Sequence, residues 1–180
     1  CRHHGTMTIY LLTTNYPPVT GGVSRYYEGL AHSAGGQIAV AGIDFGDVPP
    51  LKGDGFLGRI SQIKWAFHTA RNSPRNVNLL AGQPHLAIGI ALAGRPFSVA
   101  IHGGEWQDYP LGGWLLKKLL AASHLILTSS STTAAFWVPE KCQPKVVTVV
   151  PGLPKFALQL LSEFPKDKNL SQSRTPIRVL

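Results

Sequence analysis

The sequence predicts an α/β domain in which helices pack on both faces of an open parallel sheet. Short, near-continuous apolar runs recur along the chain, as strands covered on both faces require. Segments with helical period lie between them, and glycine- or proline-rich turns separate the two kinds of segment. Hydrophobic residues make up 44% of the 180-residue chain and charged residues 14%, which excludes a solvated disordered chain. A chain of this length buries roughly two-thirds of the surface its unfolded form exposes, enough for one ordinary domain.

The elements can be justified in order. Residues 7–13, from Met7 to Thr13, form an apolar run that reads as the first strand. Residues 1–6 precede the single methionine and are expected to be an expression remnant or a disordered lead. A loop with Pro17, Pro18, Gly21 and Gly22 leads into a helix carrying Val23, Tyr26, Tyr27, Leu30, Ala31 and Ala34, which Gly35 and Gly36 stop. Residues 37–43 are the second strand, and the Pro- and Gly-rich residues 46–55 are loop. Helical period returns over residues 57–71, where Ile60, Ile63, Phe67 and Ala70 share one face and Lys64, His68 and Arg71 line a neighbouring one. Residues 76–80 are a short strand, and Pro84 starts a helix that runs to Leu92. The β-branched and apolar residues 97–101 form a strand that ends at His102. A helix over residues 114–121, a strand over 125–128, a helix over 132–138 and a strand over 145–150 complete the alternation. This is the pattern of a Rossmann-like open sheet, whose ligands bind beyond the carboxyl ends of the strands. Residues 7–154 are expected to be that domain. Residues 155–180 are expected to be a linker and the start of a second domain, whose first strand begins at Ile177.

The bulk properties narrow the function. No apolar stretch approaches the ~18 residues a spanning helix needs, and no signal region opens the chain. Cys1 and Cys142 have neither CxxC nor Cys/His ligand spacing, so no disulfide framework or metal site is encoded and a reducing, cytoplasmic setting is expected. The net charge is +8, and between Asp54 and Glu105 there is no acidic residue, while Arg59, Lys64, Arg71, Arg75 and Arg95 all fall there. Such a stretch attracts anions: a phosphate-bearing small molecule or an anionic membrane surface. Nucleic acid is set aside because no recognition motif accompanies the charge.

Candidate site residues cluster at predicted strand ends. Gly21, Gly22, Val23 and Ser24 join a strand to a helix start, where unpaired N–H groups and the helix dipole favour an anion; a tight turn is the plain alternative. His102 and Glu105 follow a buried strand and project toward the ligand crevice, where the imidazole could meet a hydroxyl or phosphate and Glu105 could fix its tautomer. The alternative is a histidine that caps the loop. Ser129 ends another strand, where its hydroxyl could meet a sugar or, with Ser130 and Ser131, serve the following helix as a cap. Lys64 and Arg71 either hold an acidic acceptor or headgroup or form a solvated face. The stripe of Trp114, Leu115, Leu116, Leu119 and Leu120 with Lys117 and Lys118 is expected to be core, although its composition also suits a membrane-touching helix. No GxSxG elbow accompanies His102, which argues against a serine triad.

Four segments taken together, residues 7–23, 102–105, 125–129 and 149–153, resemble glycosyltransferase family 4, the retaining two-domain enzymes of GT-B fold. The resemblance covers nearly the whole chain, and its specificity lies in order and spacing. It implies that the chain is the amino-terminal, acceptor-binding half of an enzyme that transfers a sugar from a nucleotide-diphosphate sugar with retention and no obligatory metal or other cofactor. It implies that Gly21 and Gly22 lie in the cleft near the donor phosphates and the acceptor, and that His102 contacts the transferred sugar or its phosphate as a catalytic residue. Val23, Ser24, Glu105, Ser129, Lys64 and Arg71 are expected to bind substrate. The family's basic pair and Glu motif, which hold the donor nucleotide, are not in this sequence, so this half alone is expected to be inactive without its carboxyl-terminal domain. Pro154 stands where many relatives carry Asp. The expected acceptor is a carbohydrate or a lipid-linked molecule; an acidic, lipid-linked or phosphorylated one would make electrostatic sense of Lys64 and Arg71, and the protein is expected in the cytoplasm, either free or peripheral at the inner face of the membrane. The competing readings are another GT-B enzyme, such as a nucleotide-sugar epimerase, and a non-catalytic binding module.

Overall fold

The computed structural model describes residues 9–19, 21–34, 37–41, 56–103 and 112–149. Strands and helices alternate through them: β1 (Ile9–Leu12), α1 (Gly22–Ser33), β2 (Ile38–Ala41), α2 (Phe56–Asn72), β3 (Asn78–Ala81), α3 (Pro84–Leu92), β4 (Phe97–Ile101), α4 (Gly112–Ala122), β5 (Ile126–Thr128), α5 (Ser131–Trp137) and β6 (Val146–Thr148). A 3-10 turn over Glu140–Lys145, which the sequence did not signal, precedes β6. The predicted elements are present, most with ends shifted by one to three residues. The expected lead at residues 1–6 and the linker and second-domain start at 155–180 lie outside the described residues.

The strands form one sheet in the order β2-β1-β3-β4-β5-β6, and every pair is parallel. This is a Rossmann-like α/β fold. Alternation of side chains explains why its strands are apolar at almost every position. Tyr10 and Leu12, Leu79 and Ala81, Val99 and Ile101 pack on one face with Ala66 and Ala70 of α2, Leu86 and Ile90 of α3, and Leu116, Leu119 and Leu120 of α4. Leu11, Leu80, Ala100 and Leu127 pack on the other face, in a cluster with Tyr26, Tyr27 and Leu30 of α1. The apolar stripe of α4 is therefore core at Leu116, Leu119 and Leu120, while Trp114 is 65% exposed with the Lys118 ammonium 4.0 Å above its ring. Among the described residues no helix is long and apolar enough to cross a membrane.

Local chemistry sets the helix ends. Pro84 occupies the start of α3, and Gly94 ends that helix with φ +67°, a left-handed turn that glycine adopts without cost. Ser130 caps α5, its hydroxyl accepting from the Thr133 N–H at 3.0 Å. Arg95 closes the carboxyl end of α2 by donating to the carbonyl oxygens of Ala70, Ser73 and Pro74 at 3.0, 2.9 and 2.8 Å. Lys145 does the same for α4 through Ala121 and Ser123.

Helices α2 and α3 touch along their backbones. The buried stripe of α2 is made of small residues, Ala66, Thr69 and Ala70, whereas Ile60, Ile63 and Phe67 of the predicted apolar face are only half-buried. The reason is Gly89 on α3. A Cβ there would meet the Ile63 carbonyl oxygen and lie 2.8 Å from the Phe67 nitrogen and 2.9 Å from the Ala66 Cβ. Gly89→Ala gains about 1 kcal/mol of helix propensity, yet the clash is with backbone that cannot step aside. The expected outcome is a net loss of about 2 kcal/mol in a urea unfolding curve; an unchanged or raised midpoint would mean that the two helices are not in this contact.

Candidate active site

In an open parallel sheet the ligand crevice forms where neighbouring crossovers leave in opposite directions. Here that point is between β1 and β3, since β2 lies on one side of β1 and every later strand on the other. The carboxyl ends of these strands carry polar residues that the strand interiors lack. Thr13 follows β1 and is 1% exposed; Gly82 and Gln83 follow β3, and Gln83 is 4% exposed. Gln83 ties the two ends together: its amide donates to the Thr13 hydroxyl at 3.1 Å, and its carbonyl accepts from the Thr14 N–H at 3.2 Å. Thr13 also accepts from the Asn15 N–H at 3.1 Å, which turns the chain out of β1.

The turn ends in a cis bond between Pro17 and Pro18, then in Gly21 as the N-cap of α1. Gly21 has φ +157° and ψ 166°, a combination reserved in practice for glycine. Among the described residues no side chain caps α1, its first turn carries no acidic residue, and a Cβ at Gly21 or Gly22 would meet nothing within 4 Å. The backbone at this helix start is therefore open to a ligand, and the helix dipole favours an anion there.

His102 follows β4 at the same edge. Its Nε2 lies 2.6 Å from the Tyr27 hydroxyl, and that hydroxyl donates to the Gly82 carbonyl oxygen at 2.5 Å. The imidazole meets the rings of Tyr26 and Tyr27 edge-on, with centroids 5.0 and 5.2 Å away. Burial pushes the His102 pKa down to about 4, so the ring is neutral near pH 7. Burial also raises Tyr26 to about 12, and its hydroxyl is buried without a hydrogen-bond partner among the described residues. Three elements thus converge: α1 through Tyr27, the end of β3 through Gly82, and the end of β4 through His102.

No model of a known protein family matches the chain, and no curated protein matches it in sequence.

The structure brings some of the sequence-predicted residues together and separates others. Gly21, Gly22, Val23 and Ser24 lie at the α1 start, with Val23 half-buried and Ser24 only 2% exposed, so Ser24 faces the interior rather than a ligand. The β4–β5 register ends on the pair Ile101 and Thr128, so half-buried Ser129 follows β5 as His102 follows β4. The capping of α5 falls to Ser130, which leaves Ser129 outside that bond. Glu105 lies outside the described residues. Lys64 is exposed in the middle of α2, and Arg71 is exposed in its last turn. Because α2 runs back to the start of β3, its last turn is at the amino end of the sheet, away from His102. There Arg71, Arg75 and Arg95 line a groove of about 310 Å³ with Phe67, Leu92 and Ala93.

Tyr27, Gly82, Thr13 and Gln83 were not picked out from the sequence as site residues. Tyr27 reads there as one more apolar position of an amphipathic helix. The available signal was a polar residue at the end of each apolar run, Thr13 after β1 and Gln83 after β3, in the same position relative to their strands as His102. Among the described residues no group of three or more His, Cys, Asp or Glu could hold a metal ion.

A second buried histidine, His85 at the start of α3, is also pushed down to about 4, by burial first and by the Arg59 charge second. Both folded-state values lie below the ~6.5 of an unfolded histidine, so between these limits the unfolded chain binds more protons. Stability is therefore fully present above about pH 6.5 and is lost as pH falls toward about 4. The slope contributed by each histidine is at most about 1.4 kcal/mol per pH unit. Urea unfolding at several pH values should show this loss above the carboxylate range, and His102→Gln should flatten it; a wild-type midpoint independent of pH in that window would contradict the buried, neutral histidines.

Proposed function

We propose that this chain is the acceptor-side half of a retaining glycosyltransferase that uses a nucleotide-diphosphate sugar. The observation that carries the reading is the convergence, at one sheet edge, of an open glycine turn opening α1 and a buried, neutral His102. The two features suit the two ends of such a donor. Unpaired N–H groups at the α1 start suit a diphosphate, which is anionic and accepts hydrogen bonds. A neutral imidazole held in a fixed orientation suits a sugar hydroxyl, and Ser129, which follows the neighbouring strand β5, suits a second one.

The resemblance of residues 7–23, 102–105, 125–129 and 149–153 to glycosyltransferase family 4 supports the same assignment. In this reading His102 is the catalytic residue, Gly21, Gly22, Val23 and Ser129 bind substrate, buried Ser24 does not, and the nucleotide is held by a second domain. The half alone is inactive. The acceptor is a carbohydrate or a lipid-linked sugar in the cytoplasm, presented at the inner face of a membrane. Lys64 and Arg71 lie away from the crevice edge, so they serve such an acceptor only through the membrane surface or an extended anionic part.

Transfer and donor hydrolysis should be measured across a panel of nucleotide sugars for the longer protein that includes a donor-binding domain, for this chain alone, and for the longer protein with His102→Ala. Transfer is expected only in the first, with His102→Ala lowering kcat by about 100-fold or more. Full activity in His102→Ala, or no transfer from any donor, would sink the proposal, and release of an altered free sugar would identify an epimerase instead.

A further inference from the structure

We infer that Tyr27 is a positioning residue that holds His102 as the Nε2–H tautomer, so that the Nδ1 lone pair is the imidazole's contact to a hydrogen-bond donor of a ligand. A phenol carries one proton. The Gly82 carbonyl oxygen, 2.5 Å from the Tyr27 hydroxyl, can only accept, so that proton points at it. His102 Nε2 lies 2.6 Å from the same phenol oxygen, and with the phenol proton committed this contact requires Nε2 to carry a hydrogen and donate it. The opposite assignment would set two oxygens 2.5 Å apart with no proton between them. A neutral imidazole has one N–H, which leaves Nδ1 as an acceptor. Among the described residues no other hydrogen bond engages His102, and Nδ1 is not among the buried atoms that lack a partner, so none of these residues occupies it.

The anchor of this chain of bonds is rigid. The Gly82 N–H donates to the Leu12 carbonyl oxygen at 2.7 Å, and a Cβ on Gly82 would lie 2.8 Å from the Thr13 Cβ, so β1 and β3 fix the carbonyl that orients Tyr27. A lone pair at Nδ1 attracts a donor and repels an anion. The group it faces is therefore a hydrogen-bond donor, a hydroxyl or an N–H, and not an unprotonated phosphate oxygen. That this donor is a sugar hydroxyl rests on the glycosyl-transfer reading; the tautomer does not.

The test is long-range proton–nitrogen NMR on the full chain, labelled with nitrogen-15 in histidine, near neutral pH, before and after addition of inorganic phosphate. His102 is expected as a single Nε2–H tautomer that phosphate does not alter, and Tyr27→Phe is expected to release it into a mixture of both tautomers. An Nδ1–H form, a mixture in the wild type, protonation by added phosphate, or an unchanged single tautomer in a folded Tyr27→Phe would overturn the inference. Should Tyr27→Phe fail to fold, the wild-type spectra alone still decide the tautomer. The spectra need no substrate, so this result and the outcome of the transfer assay are separate.

Discussion

A parallel sheet covered on both faces leaves little room for polar side chains along its strands, and this constraint organises everything else in the chain. Tyr10, Leu12, Leu79, Ala81, Val99 and Ile101 fill one face and Leu11, Leu80, Ala100 and Leu127 the other. Polar chemistry is driven to the strand ends, where backbone groups leave the ladder and need new partners. Thr13, Gln83 and His102 all stand at such ends, and all at the carboxyl edge. Their bonds first satisfy the backbone: Gln83 holds the Thr14 N–H, and Tyr27 holds the Gly82 carbonyl. The site is built from groups that the fold had to satisfy in any case.

That origin explains why the crevice is stiff on one side and open on the other. Thr13, Gln83, Gly82, Tyr27 and His102 are interlocked by hydrogen bonds across α1 and the ends of three strands, with Tyr26 and Tyr27 set edge-on to the imidazole. Among the described residues no side chain fills the glycine turn at the start of α1 and none caps that helix. The buried Tyr26 hydroxyl is the exception: it has no partner among the described residues, and the Tyr26 ring contributes aromatic packing against His102.

The order of elements was legible in the sequence because it rests on local pattern. Apolar runs, helical period, Pro84 at a helix start and Ser130 as a cap need no knowledge of distant residues. The strand order and the site's bonds do need it. Tyr27 meets residues 55 and 75 positions away, and nothing in the spacing of a helix face distinguishes a tyrosine that serves a strand end from one that only fills the core. Helix α2 shows the same limit. Its period assigns Lys64 and Arg71 to an outer face, but the end of the sheet on which Arg71 falls depends on α2 running against the strands. The burial stripe of α2, in turn, depends on Gly89 of a different helix.

The electrostatics of the chain follow from the same geometry. The basic stretch between Asp54 and Glu105 places Arg71, Arg75 and Arg95 at the amino edge, and Arg95 there is already committed to the carbonyls that end α2. At the carboxyl edge the imidazole is uncharged near neutral pH, because burial favours the neutral form and no carboxylate among the described residues offsets it. An anion entering the crevice therefore finds its partners in backbone N–H groups at the start of α1, not in His102. Under the proposed glycosyl-transfer reading, the donor would be divided between two kinds of contact: the diphosphate at a helix terminus whose partial charge persists at any pH, and the sugar at a histidine that stays neutral.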